Sequence, residues 1–327
     1  MVPDRIIDQA LVAILQGLCT ASRFPRRLPR ILHCTGNRLR HLRPLQPTLR
    51  VRAGEQKTIL KRLKKPSITL IVNTYENPHA LEKVLVALAR QRVPANEIII
   101  ADDGSGEATS AVILKGLQSL KLPLRHCRQD NQGFRRAVIL NKAIAMAHGD
   151  YLVFLDGDCV PEREFVGDHA ALAEHGYWVQ GRRAFVKESS VENFTPTAGC
   201  VWNLAITAQL TGFTKALRLP FPVVKRGQQQ RGILGCNLGI WRDDLVTVKG
   251  YDETFVGWGR EDADLANRLY HLGRSRKFVY GRAILYHLNH PVAARNRLEE
   301  NQSLLEQCIT ERRIHAVKGL DQYLTRG

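Results

Sequence analysis

Asp156 and Asp158 stand one glycine apart at the end of the apolar run Tyr151-Leu-Val-Phe-Leu. Such a run reads as a buried strand. Its carboxylates then emerge together at the C-terminal edge, where open α/β sheets bind ligands. Two carboxylates held that close repel each other unless a cation lies between them, and hard oxygen donors favour Mg2+ or Mn2+. A divalent ion there would grip a diphosphate. His287, in the His287-Leu-Asn-His290 segment that closes the last predicted strand, is a candidate further ligand, with a structural histidine as the alternative.

A second acidic group comes late, in Gly257-Trp258-Gly259-Arg260-Glu261-Asp262-Ala-Asp264. Glycines bracketing a tryptophan make a bend that exposes an aromatic face, and three carboxylates follow at the start of a helix. An exposed indole beside an acid suits a sugar, whose C–H face stacks while its hydroxyls hydrogen-bond. One carboxylate near a reactive hydroxyl can serve as general base. The alternative is a core tryptophan followed by acids that favour the helix dipole.

Two earlier strands end in polar clusters, Asn73-Thr-Tyr75-Glu76 and Asp102-Asp103-Gly104-Ser105. Tyr75 could stack on a base while Asp103 accepts from a ring N–H, although Asp-Gly-Ser after a strand is equally a turn with a helix cap. Asp130-Asn-Gln-Gly-Phe-Arg135-Arg136 opens a helix, and phosphate is attracted to helix N-termini, the more so beside arginine. A capped helix with solvated arginines is the other reading. A Rossmann dinucleotide site does not fit: Thr109 replaces the third glycine, and the glycines follow the second strand rather than the first.

The elements that must hold these residues alternate. Strands are predicted at Ser67–Asn73, Glu97–Ala101, Leu122–Arg128 and Tyr151–Leu155, with helices over Pro78–Arg92, Glu107–Leu120 and Gly133–His148. That series means a doubly wound, mostly parallel sheet of the α/β class. Beyond residue 177 the rhythm loosens, with strands expected at Ile233–Trp241 and Lys277–His287 and helices at Glu261–Leu272 and Ala293–Arg313.

Net charge is +17, but it is not spread evenly. Residues 1–65 hold 15 Lys and Arg against Asp4, Asp8 and Glu55, a net of +12, leaving +5 for the rest. Ile6, Ile7, Ala10, Leu11, Ile14, Leu15 and Leu18 share one face of a predicted helix. That helix either packs on the main domain or lies on an anionic membrane, tethered by the basic linker that follows. Nucleic acid is not expected as a partner, since Phe24 is the only aromatic there to stack a base. Seven scattered cysteines without a C-x-x-C pair argue against a disulfide framework and for a reducing cytoplasm. No window approaches the ~20 apolar residues of a membrane span.

Taken as an ordered set, Thr-Tyr in Asn73–Glu76, Ala101–Ser105, Gly133-Phe134-Arg135 with Asn141, Asp156-Gly-Asp158, Gly235-Cys-Asn237 and Gly257–Asp262 resemble the motifs of family 2 glycosyltransferases. The last resembles a galactosyltransferase C-terminal module. The likeness runs from about Ser67 to His290. It implies a GT-A fold with a nucleotide-sugar-binding half at 66–176 and an acceptor half at 177–290. The basic extension 1–65 precedes it and a C-terminal helix at 291–327 follows. It further implies that Asn73, Tyr75, Asp103 and Arg135 hold the nucleotide, that Asp156 contacts ribose or sugar, and that Asp158 and His287 hold Mn2+ or Mg2+. Trp258 and Glu261 would orient the acceptor and Asp262 would be the base of an inverting transfer. The donor would be a nucleotide sugar, UDP-linked, and the acceptor a bacterial surface glycan such as lipopolysaccharide core or capsule. The enzyme would work on the inner face of the cell membrane. The alternatives are a catalytically inactive sugar-binding subunit and a basic nucleic-acid-binding protein.

Overall fold

The computed structural model describes residues 65–119, 124–194, 209–290 and 295–324. The chain divides into units 1–64 and 65–327, and the described residues belong to the second. The expected helix near the N-terminus and its basic linker lie outside the described residues.

The first half follows the predicted alternation: β1 (Ile68–Thr74), α1 (Pro78–Ala89), β2 (Glu97–Asp102), α2 (Glu107–Ser119), β3 (Leu124–Arg128), α3 (Arg136–Met146) and β4 (Tyr151–Asp156). α1 starts where the sequence says it should. Asn77 caps it by accepting from Ala80 N at 3.2 Å, and Pro78 occupies the first turn, where its missing N–H costs nothing. α3 starts later than expected, at Arg136. The residues before it cross the strand ends instead, and Arg135 N donates to Asp103 Oδ2 at 2.8 Å.

The second half holds β5 (Cys159–Pro161), α4 (Phe165–Leu172), β6 (Tyr177–Gln180), β7 (Arg182–Val186), β8 (Leu210–Thr211) and β9 (Val223–Gly227). After these come β10 (Asn237–Trp241), α5 (Arg242–Thr247), α6 (Glu261–His271), β11 (Ser275–Tyr280), β12 (Ile284–His287) and α7 (Leu298–Thr310). Eight strands form one sheet in the order β3-β2-β1-β4-β10-β6-β11-β9; β5, β12, β7 and β8 form a smaller one. The β3-β2-β1-β4 part is parallel, and β10 runs antiparallel to β4. The single strand expected over Lys277–His287 is two. Gly281 at φ +74° and Ala283 at φ +50° break it, and the chain passes from the large sheet to the small one. Both pieces are buried, so the apolar pattern runs through the break without marking it.

Side chains of β1 and β4 alternate between two cores. Leu70, Val72, Val153 and Leu155 pack with Leu81, Val84 and Leu88 of α1, while Ile71, Leu152 and Phe154 pack with Ile139 and Leu140 of α3 and Leu265 and Leu269 of α6. Burial on both faces is why these strands read as unbroken apolar runs. Each such side chain contributes about 1.5–3 kcal/mol, which makes the sheet a firm base for the polar residues at its C-terminal edge.

Candidate functional site

The ends of β1 and β2 carry the expected nucleotide residues. Tyr75 is half exposed, and its hydroxyl accepts from Asn131 Nδ2 at 3.0 Å. Asn73 pairs in register with Ala101 and Asp156, and its buried Oδ1 has no hydrogen-bond partner. Asp102 and Asp103 differ in what they bond. Asp102 is the turn former: buried at the strand end, it accepts from Ser105 N at 2.8 Å. Asp103 accepts from Gln129 Nε2 and from Arg135 N, and burial pushes its carboxyl above the ordinary value despite those bonds. Gly104, at φ +89°, lies so close to the Asn131 backbone that no side chain fits. The loop after β3 is thereby pressed onto the loop after β2.

Arg135 and Arg136 diverge. The Arg135 guanidinium turns back to donate to Asp130 O at 2.6 Å. Arg136 is buried and reaches three carboxylates: Asp156 Oδ1 at 3.1 Å, Asp262 Oδ1 at 2.9 Å and Glu261 Oε1 at 3.3 Å. One cation thus joins the end of β4 to the first turn of α6. Burial opposes the Arg136 charge, but Asp262 and Asp156 outweigh it and hold the guanidinium protonated. Burial, and then the charge of Asp262, push Glu261 up to about 7 against the pull of Arg136. Glu261 Oε2 and the hydroxyl of Tyr251, both buried in this cluster, have no hydrogen-bond partner.

Asp262 rests on Gly235. A Cβ at 235 would fall within 3.0 Å of the Asp262 carboxylate, so the glycine is the shelf on which the acid lies. Asn237, two residues on, is a structural tie: it donates to Arg182 O at 3.0 Å and Ala283 O at 2.8 Å and meets His169 Nε2 at 3.0 Å. Asn141 does similar work for the approach to the Gly-Trp-Gly bend, donating to Tyr251 O and Glu253 Oε1 and accepting from Tyr251 N at 2.8 Å. The bend itself runs through Gly257 at φ +79°, Gly259 at φ +106° and Arg260 at φ +79°. Trp258 is partly buried, and the Arg295 guanidinium lies 4.8 Å from its ring. The indole is therefore neither core nor bare surface.

The third group gathers on the small sheet. β12 pairs antiparallel with β5, setting His287 opposite Cys159 and so beside Asp158. His290 Nε2 is 2.8 Å from Asp158 Oδ2, and His287 Nε2 is 3.8 Å from Asp158 Oδ1. One donor atom from each of the three residues lies within 4.8 Å of the others. Burial works against the Asp158 charge, yet the His290 hydrogen bond and the two imidazoles hold its carboxyl below the ordinary value. Burial keeps His287 below its ordinary value too, in the neutral form that can ligate. A carboxylate with two imidazoles suits Mn2+ better than Mg2+. Asp156, Cys159 and Cys236 form a second cluster of donor atoms. It is a poor metal site: Arg136 already pairs with Asp156, and burial drives the Cys159 thiol well up, away from the thiolate.

The sequence did not single out Arg136, His290, Gly235 or Tyr251 as site residues. Tandem arginines at a helix start cannot be told apart before the helix phase is known. His290 was visible beside His287, but only strand pairing ranks the two. Gly235 and Tyr251 gain their meaning from what lies across the fold.

Residues 69–234 match the family model described as glycosyl transferase family 2, and residues 217–291 match one described as the N-terminal domain of galactosyltransferase. Chondroitin synthase of Escherichia coli is 27% identical over 270 residues, covering 73% of this chain and 38% of that protein. Hyaluronan synthase of Pasteurella multocida is 26% identical over 251 residues, covering 68% of this chain and 25% of that protein. The chain thus spans well under two thirds of these curated relatives. The solved structure of TarS residues 1–349 from S. aureus superposes with a TM-score of 0.52 at 15% identity, covering 79% of this chain and 68% of that one. At that identity the likeness is one of fold.

Proposed function

The chain belongs to glycosyl transferase family 2 and has the GT-A fold, and on that premise we propose that it is an inverting, metal-dependent glycosyltransferase. The donor is a nucleotide sugar, UDP-linked in this reading, and the acceptor a hydroxyl of a bacterial surface glycan such as lipopolysaccharide core or capsule. One observation carries it: Asp262 is joined through Arg136 to Asp156, and the Asp158–His287–His290 group follows Asp156 directly. Asp262 and the candidate metal ligands thus both adjoin Asp156, which supports this reading.

In this reading Asn73, Tyr75 and Asp103 hold the base of the nucleotide, and Arg135 and Asp156 complete the donor side. Asp158, His287 and His290 would hold Mn2+ or Mg2+, and the ion would supply positive charge for a diphosphate leaving group. Asp262 takes the proton of the acceptor hydroxyl as that oxygen attacks the sugar's anomeric carbon and the bond to the diphosphate breaks. Arg136 and Gly235 fix where the Asp262 carboxylate lies. Trp258 and Glu261 orient the acceptor. No helix among the described residues is long and apolar enough to cross a membrane. Attachment at the membrane's inner face through residues 1–65 remains part of the proposal.

The test is UDP release from a panel of nucleotide sugars, with and without Mn2+. EDTA should abolish turnover, and full activity in EDTA would sink the metal role. Asp262→Asn should retain nucleotide-sugar binding by calorimetry while losing transfer. Lost donor binding would move Asp262 to the donor site.

A further inference from the structure

Between Glu192 and Asp243 the chain has no acidic residue and six basic ones, Lys215, Arg218, Lys225, Arg226, Arg231 and Arg242. Within this stretch Pro220-Phe221-Pro222 forms a turn into β9, the edge strand of the large sheet. Phe221 is 82% exposed, the highest value among the large exposed hydrophobic residues described, and Val223, two residues along the chain, is 44% exposed.

The turn is braced rather than loose. Arg282 donates to Leu219 O and to Pro220 O, and Leu219 N donates to Gly281 O at 3.3 Å. Prolines on both sides restrict the Phe221 backbone further. An aromatic ring held out in water by a rigid turn gains on entering an apolar phase and loses no loop entropy in doing so. Lys225 shares the Val223 face of β9, as alternate residues of a strand must, and it is exposed. Arg218 and Arg226 pair with Asp168 and Glu174, so Lys225 is the cation nearest the tip in sequence that lacks an ion pair among the described residues.

Strand direction fixes which edge of the sheet this tip occupies. β6 and β4 both run antiparallel to β10, so β6 points the same way as β4, and β11 runs parallel to β6. Tyr280, the last residue of β11, pairs with Val223. Phe221 therefore lies at the edge where β4 delivers Asp156.

We propose that the Phe221 turn is a docking point for an anionic lipid surface, with the ring entering the interface and Lys225 meeting the head groups. Protruding aromatics beside cations suit the wet–apolar boundary of a bilayer. A glycan would be stacked on a flatter face. Docking here turns the site edge toward the membrane, where a lipid-linked acceptor would be presented. Neither Phe221 nor Lys225 is among the side chains assigned to the transfer reaction.

The experiment is sedimentation of the full chain with vesicles of phosphatidylcholine alone, or mixed equally with phosphatidylglycerol. Phe221→Ser should weaken partitioning onto the mixed vesicles roughly tenfold, and Lys225→Ala about fivefold. Phe221→Trp should restore wild-type binding. Residues 1–64 are present in every variant and cancel from the ratio. Binding by Phe221→Ser equal to wild type overturns the proposal. So does vesicle binding that persists while binding to a soluble acidic polysaccharide is lost, which would make the turn a glycan contact. The assay uses no donor, so its failure leaves the glycosyltransferase reading standing, and failed turnover on a soluble acceptor would count against that reading alone.

Discussion

Replacing Gly235 by alanine sets a methyl carbon within 3.0 Å of the Asp262 carboxylate, where ordinary contact begins at 3.4 Å. The acid must give way, because the residue after it on the shelf, Cys236, is buried at the head of β10. Rotating the Asp262 side chain relieves the clash at small cost in stability but breaks its 2.9 Å bond to Arg136 and moves the proposed base roughly 1 Å. A displacement of that size at a reacting group costs about a hundredfold in rate, or about 2.7 kcal/mol of transition-state stabilisation. Gly235→Ala should therefore lower kcat about a hundredfold with the nucleotide sugar that the wild type turns over. Donor affinity by calorimetry and the melting temperature should barely move. Turnover within twofold of wild type, with the fold intact, would refute the placement of Asp262 as base. A large fall in melting temperature would instead make Gly235 a packing residue.

Removing the cation of the acidic cluster should be more damaging to the fold: Arg136→Leu leaves buried Glu261 and the partly buried Asp156 and Asp262 facing one another without a counter-charge, at a cost of about 3 kcal/mol in urea denaturation. Glu261 predicts a pH dependence with a definite sign. Its folded value of about 7 lies above the ordinary 4.5, so between those values the native state keeps a proton that the unfolded state has lost. Stability should thus fall as pH rises through that window, by up to about 3 kcal/mol, and Glu261→Gln should flatten the slope. Trp258→Ala should raise the acceptor KM roughly three- to tenfold while leaving the donor KM unchanged.

What the sequence revealed and what it hid divide along a physical line. β1, β2 and β4 were legible because burial on both faces writes continuous apolar runs, and α1 because Asn77-Pro78 is a strong local start signal. The clusters at Asp156–Asp158 and Gly257–Asp262 stood out because neither acids after a strand nor a Gly-Trp-Gly bend is explained by packing. The small sheet was missed since β5, β7 and β8 are short, with β5 and β7 pairing on β12 and β8 pairing on β7. Arg136 outranks Arg135 only once α3 has a phase and the carboxylates opposite are known. Gly235 belongs to a motif legible in the sequence, but its role shows only once Asp262, brought from another element, lies against it. Local chemistry is written in the chain, whereas the partners that tune it are written in the topology.

The insertion of β10 beside β4 also sets the order in which the chain can be completed. β4 is apolar from Tyr151 to Leu155, and one of its edges is covered only when residues 237–241 arrive, long after the four parallel strands have been synthesised. Until then a nearly finished half-sheet presents a bare hydrophobic strand edge, the template from which chains pair with one another. Nascent chains that stall before Asn237 should accumulate as aggregates, and a chaperone that shields that edge should raise the yield of the whole protein more than one acting on the finished fold.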